Sequence, residues 1–208
     1  MKNQIDKESI SKRDIILNES FRLFLKKGYA AVSFADLVEA TNVSRGNMFH
    51  HFKNKEDIFN HAVDRFVFEF LTNDATDFLE LTSSTPLKAF IDNRVENIDR
   101  RMKSFFIMTK GTVTAANFMS FILYLKDNYS NWKEKFQEYE ERNNSEWYEV
   151  IELAKQRGEI VQTVEAEKII SSIRNIYLGL SYRGALSNQL SISELKDQIY
   201  TIYNLITK

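Results

Sequence analysis

One proline and six glycines in 208 residues leave little to interrupt a helix. Proline removes a backbone donor, and glycine supplies the positive φ that tight hairpins need, so a chain poor in both signals helix along most of its length. The expected fold class is all-α, with about nine helices marked by caps and periodicity. At 43% hydrophobic content there is apolar surface enough for a sizeable core. The lack of cysteine excludes disulfides, thiolate zinc sites and cysteine nucleophiles together. The polar start MKNQIDKESISKRD has no signal-peptide core, and no run reaches about 18 apolar residues, so the expectation is a cytoplasmic protein without a membrane partner.

Caps and stops divide the chain. A helical pattern from about Ser9 ends at Lys26, Lys27 and Gly28, cations and a glycine being helix stop signals. Ser33 with Asp36 opens a short helix through Ala40. Thr41-Asn42-Val43 reads as a turn, Ser44 caps a helix through Phe52, and Asn54 caps a long one from Lys55 to about Leu81. Its acidic residues Asp74, Asp77 and Glu80 read as a solvated face. Pro86 suits the first position of a helix to about Met102. Between Phe105 and Asn128 the boundaries stay open. Helices follow from about Ser130 to Arg157 and Thr163 to Asn188, with Ser191 and Glu194 opening the last.

Two short helices around a tight turn suggest a helix-turn-helix, whose second helix enters the DNA major groove. Its faces separate as that requires. At about 100° per residue, Met48 and Phe52 share a side that packs with Val43, Leu37 and Val38, while Gly46 and His50 fall opposite, flanked by Asn47, Phe49 and Lys53. Gly46 costs about 1 kcal/mol of helix propensity relative to alanine, which close approach to DNA would explain. Helix starts at Ser44 and Asn54 offer amides to phosphates, and Arg45, Lys53 and Lys55 offer charge. Locally the charge agrees. Residues 1–55 hold ten Lys/Arg against six Asp/Glu, a net of +4, and the remainder carries −5 of the overall −1. His50 and His51 are neighbours on a helix and point about 100° apart, a poor arrangement for one metal ion, so neither metal nor cofactor is expected.

Residues 12 to 60 resemble the DNA-binding region of the TetR family of transcriptional regulators. The matching residues, in register without gaps, are Gly28-Tyr29, Ser33, Leu37-Val38, Thr41-Asn42-Val43-Ser44, Gly46, Phe49, His51-Phe52 and Lys55-Glu56. The family usually has tyrosine where Phe49 stands. The resemblance implies that Ser33, His51 and Lys55 contact phosphate, and that Arg45, Gly46, Asn47, Phe49 and His50 face bases or backbone. It implies a DNA-binding domain over 1–53 and an effector-binding and dimerisation domain over 54–208. It further implies a homodimer on double-stranded operator DNA, released by a small-molecule effector, with the last two helices forming the interface.

Small residues in those helices, Ser172, Gly179, Ser181, Gly184 and Ala185, allow close approach, and Ile199 and Tyr203 join them as interface candidates. Central aromatics and thioethers suit an apolar effector: Phe66, Phe70, Phe105, Met108, Phe118, Phe121 and Trp147, with Asn117, Tyr124, Arg174 and Tyr177 as polar anchors. The alternatives are a helical protein-interaction module and a helical-bundle enzyme. The enzyme reading finds no Glu-x-x-His pair and no histidine near its acidic clusters.

Overall fold

The computed structural model describes residues 11–69, 82–187 and 190–207, so Phe70 and the acidic positions Asp74, Asp77 and Glu80 lie outside the described residues. Nine α-helices are present among the described residues. They are α1 (Lys12–Lys27), α2 (Phe34–Thr41), α3 (Arg45–His51), α4 (Lys55–Val63), α5 (Pro86–Met108), α6 (Ala115–Asn128), α7 (Trp132–Gln156), α8 (Ala166–Ser187) and α9 (Ile192–Ile206). Extended pairing is limited, among these residues, to a bridge between Ile160 and Thr207. No helix of the described residues is long and apolar enough to cross a membrane.

Two compact units divide at Val67 and Phe68. The first extends beyond Lys53 because α4 buries Ile58, Phe59, Ala62 and Val63 and packs along α1. The stop at Gly28 and the caps at Ser33, Ser44 and Asn54 fall where the punctuation predicts. Ser11 caps α1, and Gly28 ends it at φ 81, a left-handed value that glycine adopts freely, with its amide on the Phe24 carbonyl at 2.9 Å. Ser33 and Asp36 form a reciprocal capping box on α2. Asn42 takes the left-handed conformation at φ 53, while the buried Thr41 hydroxyl donates to the Leu37 carbonyl at 2.8 Å and accepts from the Val43 amide at 3.2 Å. That hydroxyl closes α2 and starts the turn. Beyond α4 the predicted long helix changes register in a π turn, Asp64–Phe68.

In the second unit α5 runs six residues beyond its predicted end at Met102 and stops at Met108, where Lys110 and Gly111 both take positive φ. Thr114 and Asn117 then form the capping box of α6. The core joins α5, α7, α8 and α9 through Leu87, Ile91, Val95, Ile151, Ile170, Ile173 and Leu195. Glu159, in the connection between α7 and α8, caps α5 from a distance. Its carboxylate accepts the Leu87 and Lys88 amides at 2.9 Å each, and the Tyr203 hydroxyl of α9 donates to it at 2.9 Å. Burial, then that hydrogen bond, pushes the Tyr203 phenol well above its ordinary range.

Candidate nucleic-acid interface

Helix α3 is seven residues long, too short to persist alone, so packing holds it. Met48 is fully buried and Phe52 nearly so, with Leu37 and Val43 buried beside them. Burying a methionine side chain contributes about 1.5–3 kcal/mol, enough to fix which way the helix turns. Ser44 caps its start, and Arg45, Gly46, Phe49 and His50 are exposed on the other side, with Asn47 and His51 half-buried at the margins. The division of faces read from the sequence is therefore the one the fold adopts. A Cβ built on Gly46 meets nothing within 4 Å, so the fold itself does not require glycine there.

The outward face carries an aromatic platform that the sequence did not disclose. Phe34, first residue of α2, stacks on Phe49 with ring centroids 4.8 Å apart and planes 12° apart. The Arg45 guanidinium lies 5.3 Å from the Phe34 centroid and 5.6 Å from that of Phe49. Phe34 and Phe49 are fifteen positions apart in the sequence, and only the turn between α2 and α3 brings them together. Among the described residues no carboxylate pairs with Arg45 or Lys53, so both keep their charge available. The His50 and His51 rings meet edge to face at 5.3 Å.

Two expected phosphate contacts are engaged elsewhere. Lys55 turns inward: its ammonium donates to the carbonyls of Tyr29 at 3.0 Å and Val32 at 2.8 Å and lies 4.2 Å from the Tyr29 ring centroid. It ties the start of α4 to the connection between α1 and α2. The single donor of the Ser33 hydroxyl goes to the Asp36 carboxylate. Hydrogen bonds from Lys27 and then Ser33 hold the Asp36 carboxyl far below the usual carboxylate range. His51 and the cap residue Ser44 stay near the surface.

The second-unit candidates separate in the same way. Trp147 is packed edge-on against Phe90 at 4.7 Å, and Phe121 is buried. The Asn117 side-chain oxygen Oδ1 accepts from the Thr114 amide and hydroxyl, so it serves as a cap. Phe66 stacks on Phe21 at 4.8 Å within the first unit, which removes it from an effector site in the second. Phe105 and Phe118 meet at 5.1 Å, and with Met108, Tyr124 and Tyr177 they remain half-buried. Burial raises the Tyr124 phenol. Arg174 donates to the Asn144 amide oxygen at 2.5 Å.

Of the interface candidates, Gly184, Ala185, Ile199 and Tyr203 are buried inside the protomer and Ser172 and Ser181 are half-buried, leaving only Gly179 on the surface. The small residues let α8 pack within its own bundle. What α8 exposes is Leu178, Tyr182 and Leu186, one face at spacings of four, and α9 exposes Leu205.

A family model described as "Bacterial regulatory proteins, tetR family" matches residues 16–62. The chain is 41% identical over 58 residues to the HTH-type transcriptional repressor ComR of Escherichia coli (strain K12), a match that spans 28% of each chain. It is 21% identical over 207 residues to the biofilm operon icaADBC HTH-type negative transcriptional regulator IcaR of Staphylococcus epidermidis, covering 94% of this chain and 99% of that one. Its fold is similar to that of a transcriptional regulator from Saccharomonospora viridis crystallised with choline, with TM-score 0.66 and 14% identity over 94% of this chain and 97% of that one.

Proposed function

We propose that this chain, whose residues 16–62 match the model of the TetR family of bacterial regulatory proteins, is a ligand-responsive transcriptional repressor of that family that binds operator DNA as a homodimer. The observation that carries this reading is the outward face of α3, where Arg45, Gly46, Phe49 and His50 stand exposed while Met48 and Phe52 anchor the helix from behind. Arg45, Asn47 and His50 read base edges; Lys53, His51 and the cap at Ser44 meet phosphates. The repressor names of ComR and IcaR support repression rather than activation.

A two-fold dimer sets two α3 helices on successive major-groove faces, about 34–36 Å apart on DNA, and so favours a palindromic site. The exposed apolar residues of α8 and α9 support a dimer through those helices. An effector in the second unit lowers operator affinity only by binding more tightly to a state with a different helix separation. The fold neighbour that carries choline supports a small organic molecule in that role.

Fluorescence anisotropy on duplex DNA from upstream of the protein's own gene tests the reading. Binding should fall steeply as salt rises, because each phosphate neutralised releases counterions. A protein that binds none of this DNA at low salt, with or without candidate ligands, is not such a regulator.

A further inference from the structure

The outward face of α3 holds one arrangement that packing alone does not explain. Phe34 and Phe49 stack at 4.8 Å, yet the pair is not buried: Phe49 stays 45% exposed and Phe34 is half-buried. The Arg45 guanidinium lies against both rings, 5.3 Å from one centroid and 5.6 Å from the other, within reach of a cation–aromatic contact. Among the described residues it gives none of its five N–H donors to a carboxylate or a carbonyl.

Both rings stand on elements that are themselves held. Phe34 is the first residue of α2, directly after the Ser33 and Asp36 capping box, and Lys27 holds the Asp36 carboxylate in turn at 2.6 Å. Phe49 follows Met48, whose buried side chain fixes the facing of α3. An arginine on a helix surface ordinarily samples many rotamers, and ordering it on a ligand costs affinity. Here the rings restrict that freedom beforehand and leave the donors of the guanidinium fork open. Arg45 opens α3 and precedes Gly46, where open space lets the backbone come close to a partner. Its side chain therefore sits at the end of a recognition helix that reaches base edges. In the major groove the base that offers two acceptors matched to that fork is guanine, through O6 and N7.

We propose that Arg45 reads one guanine in each operator half-site, and that Phe34, through its stack with Phe49, is the positioning residue that presents the guanidinium to that base. This rests on the reading of α3 as a DNA recognition helix. Phe34 is not among the residues that carry the family resemblance; it enters the site only through the turn that brings α2 to α3.

Methylation interference on duplex DNA from upstream of the protein's own gene finds the guanines whose N7 the full chain needs. One guanine per half-site should block the native protein when methylated and leave Arg45→Gln indifferent. Replacing that guanine by 7-deazaguanine, which lacks the N7 acceptor, should weaken the native protein about fivefold or more and hardly change Arg45→Gln. Phe34→Leu keeps apolar bulk and loses the ring. It should shrink this penalty to about twofold or less, while the salt slope and the affinity for random duplex stay as in the native protein. Phe34→Met repeats the comparison should the leucine variant not fold, and Phe34→Tyr, which restores a ring, should recover most of the penalty. A 7-deazaguanine penalty equal in the native and Arg45→Gln proteins, or absent from both, overturns the guanine contact. A ring-free variant that keeps the full penalty, or that loses affinity equally for operator and random duplex, overturns the positioning role. Upstream DNA that binds with no guanine dependent on Arg45 overturns this proposal alone, whereas absence of DNA binding at low salt overturns the regulator itself.

Discussion

The Lys55 ammonium donates to the Tyr29 carbonyl at 3.0 Å while resting 4.2 Å from the centre of the same residue's ring. With a second bond to Val32, two of its three donors are committed within the protein. Lysine at this position thus fixes how the connection between α1 and α2 meets the start of α4. Lys55→Met should lower stability by about 1–2 kcal/mol in thermal denaturation, charge-assisted bonds being worth somewhat more before discounting for partial exposure. The salt slope of DNA binding should hardly change, whereas Lys53→Ala should reduce it by about one. The reverse pattern would return Lys55 to the phosphate backbone.

Gly46 faces open space within the protein. Gly46→Ala should therefore stabilise the protein by up to about 1 kcal/mol, through helix propensity and a less free unfolded chain. Operator binding should weaken at least tenfold if the α3 backbone approaches DNA closely. A variant that melts higher and binds unchanged would make this glycine incidental.

His50 is exposed and projects away from the buried side of α3, beside Arg45 and Phe49. His50→Ala should weaken operator binding more than binding to random duplex, by about 1–3 kcal/mol on the operator, the range for a lost base contact. Competition titrations at fixed salt measure both. Equal losses on the two DNAs would move His50 from base readout to the backbone.

Features that depend on neighbours within a few positions were legible in the sequence: the stop at Gly28, the caps at Ser33, Ser44 and Asn54, and the inward side of α3 at Met48 and Phe52. Each is a local hydrogen bond or a helical period. Contacts across long separations were not. Lys55 meets Tyr29 across 26 positions, and Glu159 caps α5 across 72, because only tertiary packing decides which of many polar side chains reaches an open amide. Small residues misled for a related reason. Gly184 and Ala185 permit close helix approach, but composition does not say whether the approaching helix belongs to the same chain or to a partner.

Burial, then a hydrogen bond to Asp92, pushes the Tyr200 phenol from 10.0 up to about 12. Lys196 donates to the same carboxylate oxygen at 2.8 Å, so two side chains of α9 meet one carboxylate of α5. A raised folded-state pKa means that the folded protein prefers the protonated phenol. That contribution is whole below the unfolded value near 10.0 and is lost as pH climbs toward about 12. Urea midpoints should fall across this window, and Tyr200→Phe, less stable at neutral pH, should close its gap with the native protein there. A gap constant through the window would uncouple Tyr200 from alkaline unfolding.

The apolar face of α8 provides a further contrast. Leu178, Tyr182 and Leu186 are 54%, 63% and 72% exposed, while Ile199 of α9 is 4% exposed. A row of large apolar side chains left in water marks a surface that a partner covers, whereas a buried isoleucine serves the protomer alone. The double change Tyr182→Glu and Leu186→Glu should produce a monomer in sedimentation at micromolar concentration, with its melting temperature little changed at high dilution. Operator affinity should fall sharply, because one protomer reaches one half-site. Ile199→Ala should do the opposite, costing about 2–5 kcal/mol of stability while the association state persists at temperatures below the melting transition. If the double glutamate variant sediments as a dimer, the subunits meet on another face, and the exposed row on α8 needs a different partner.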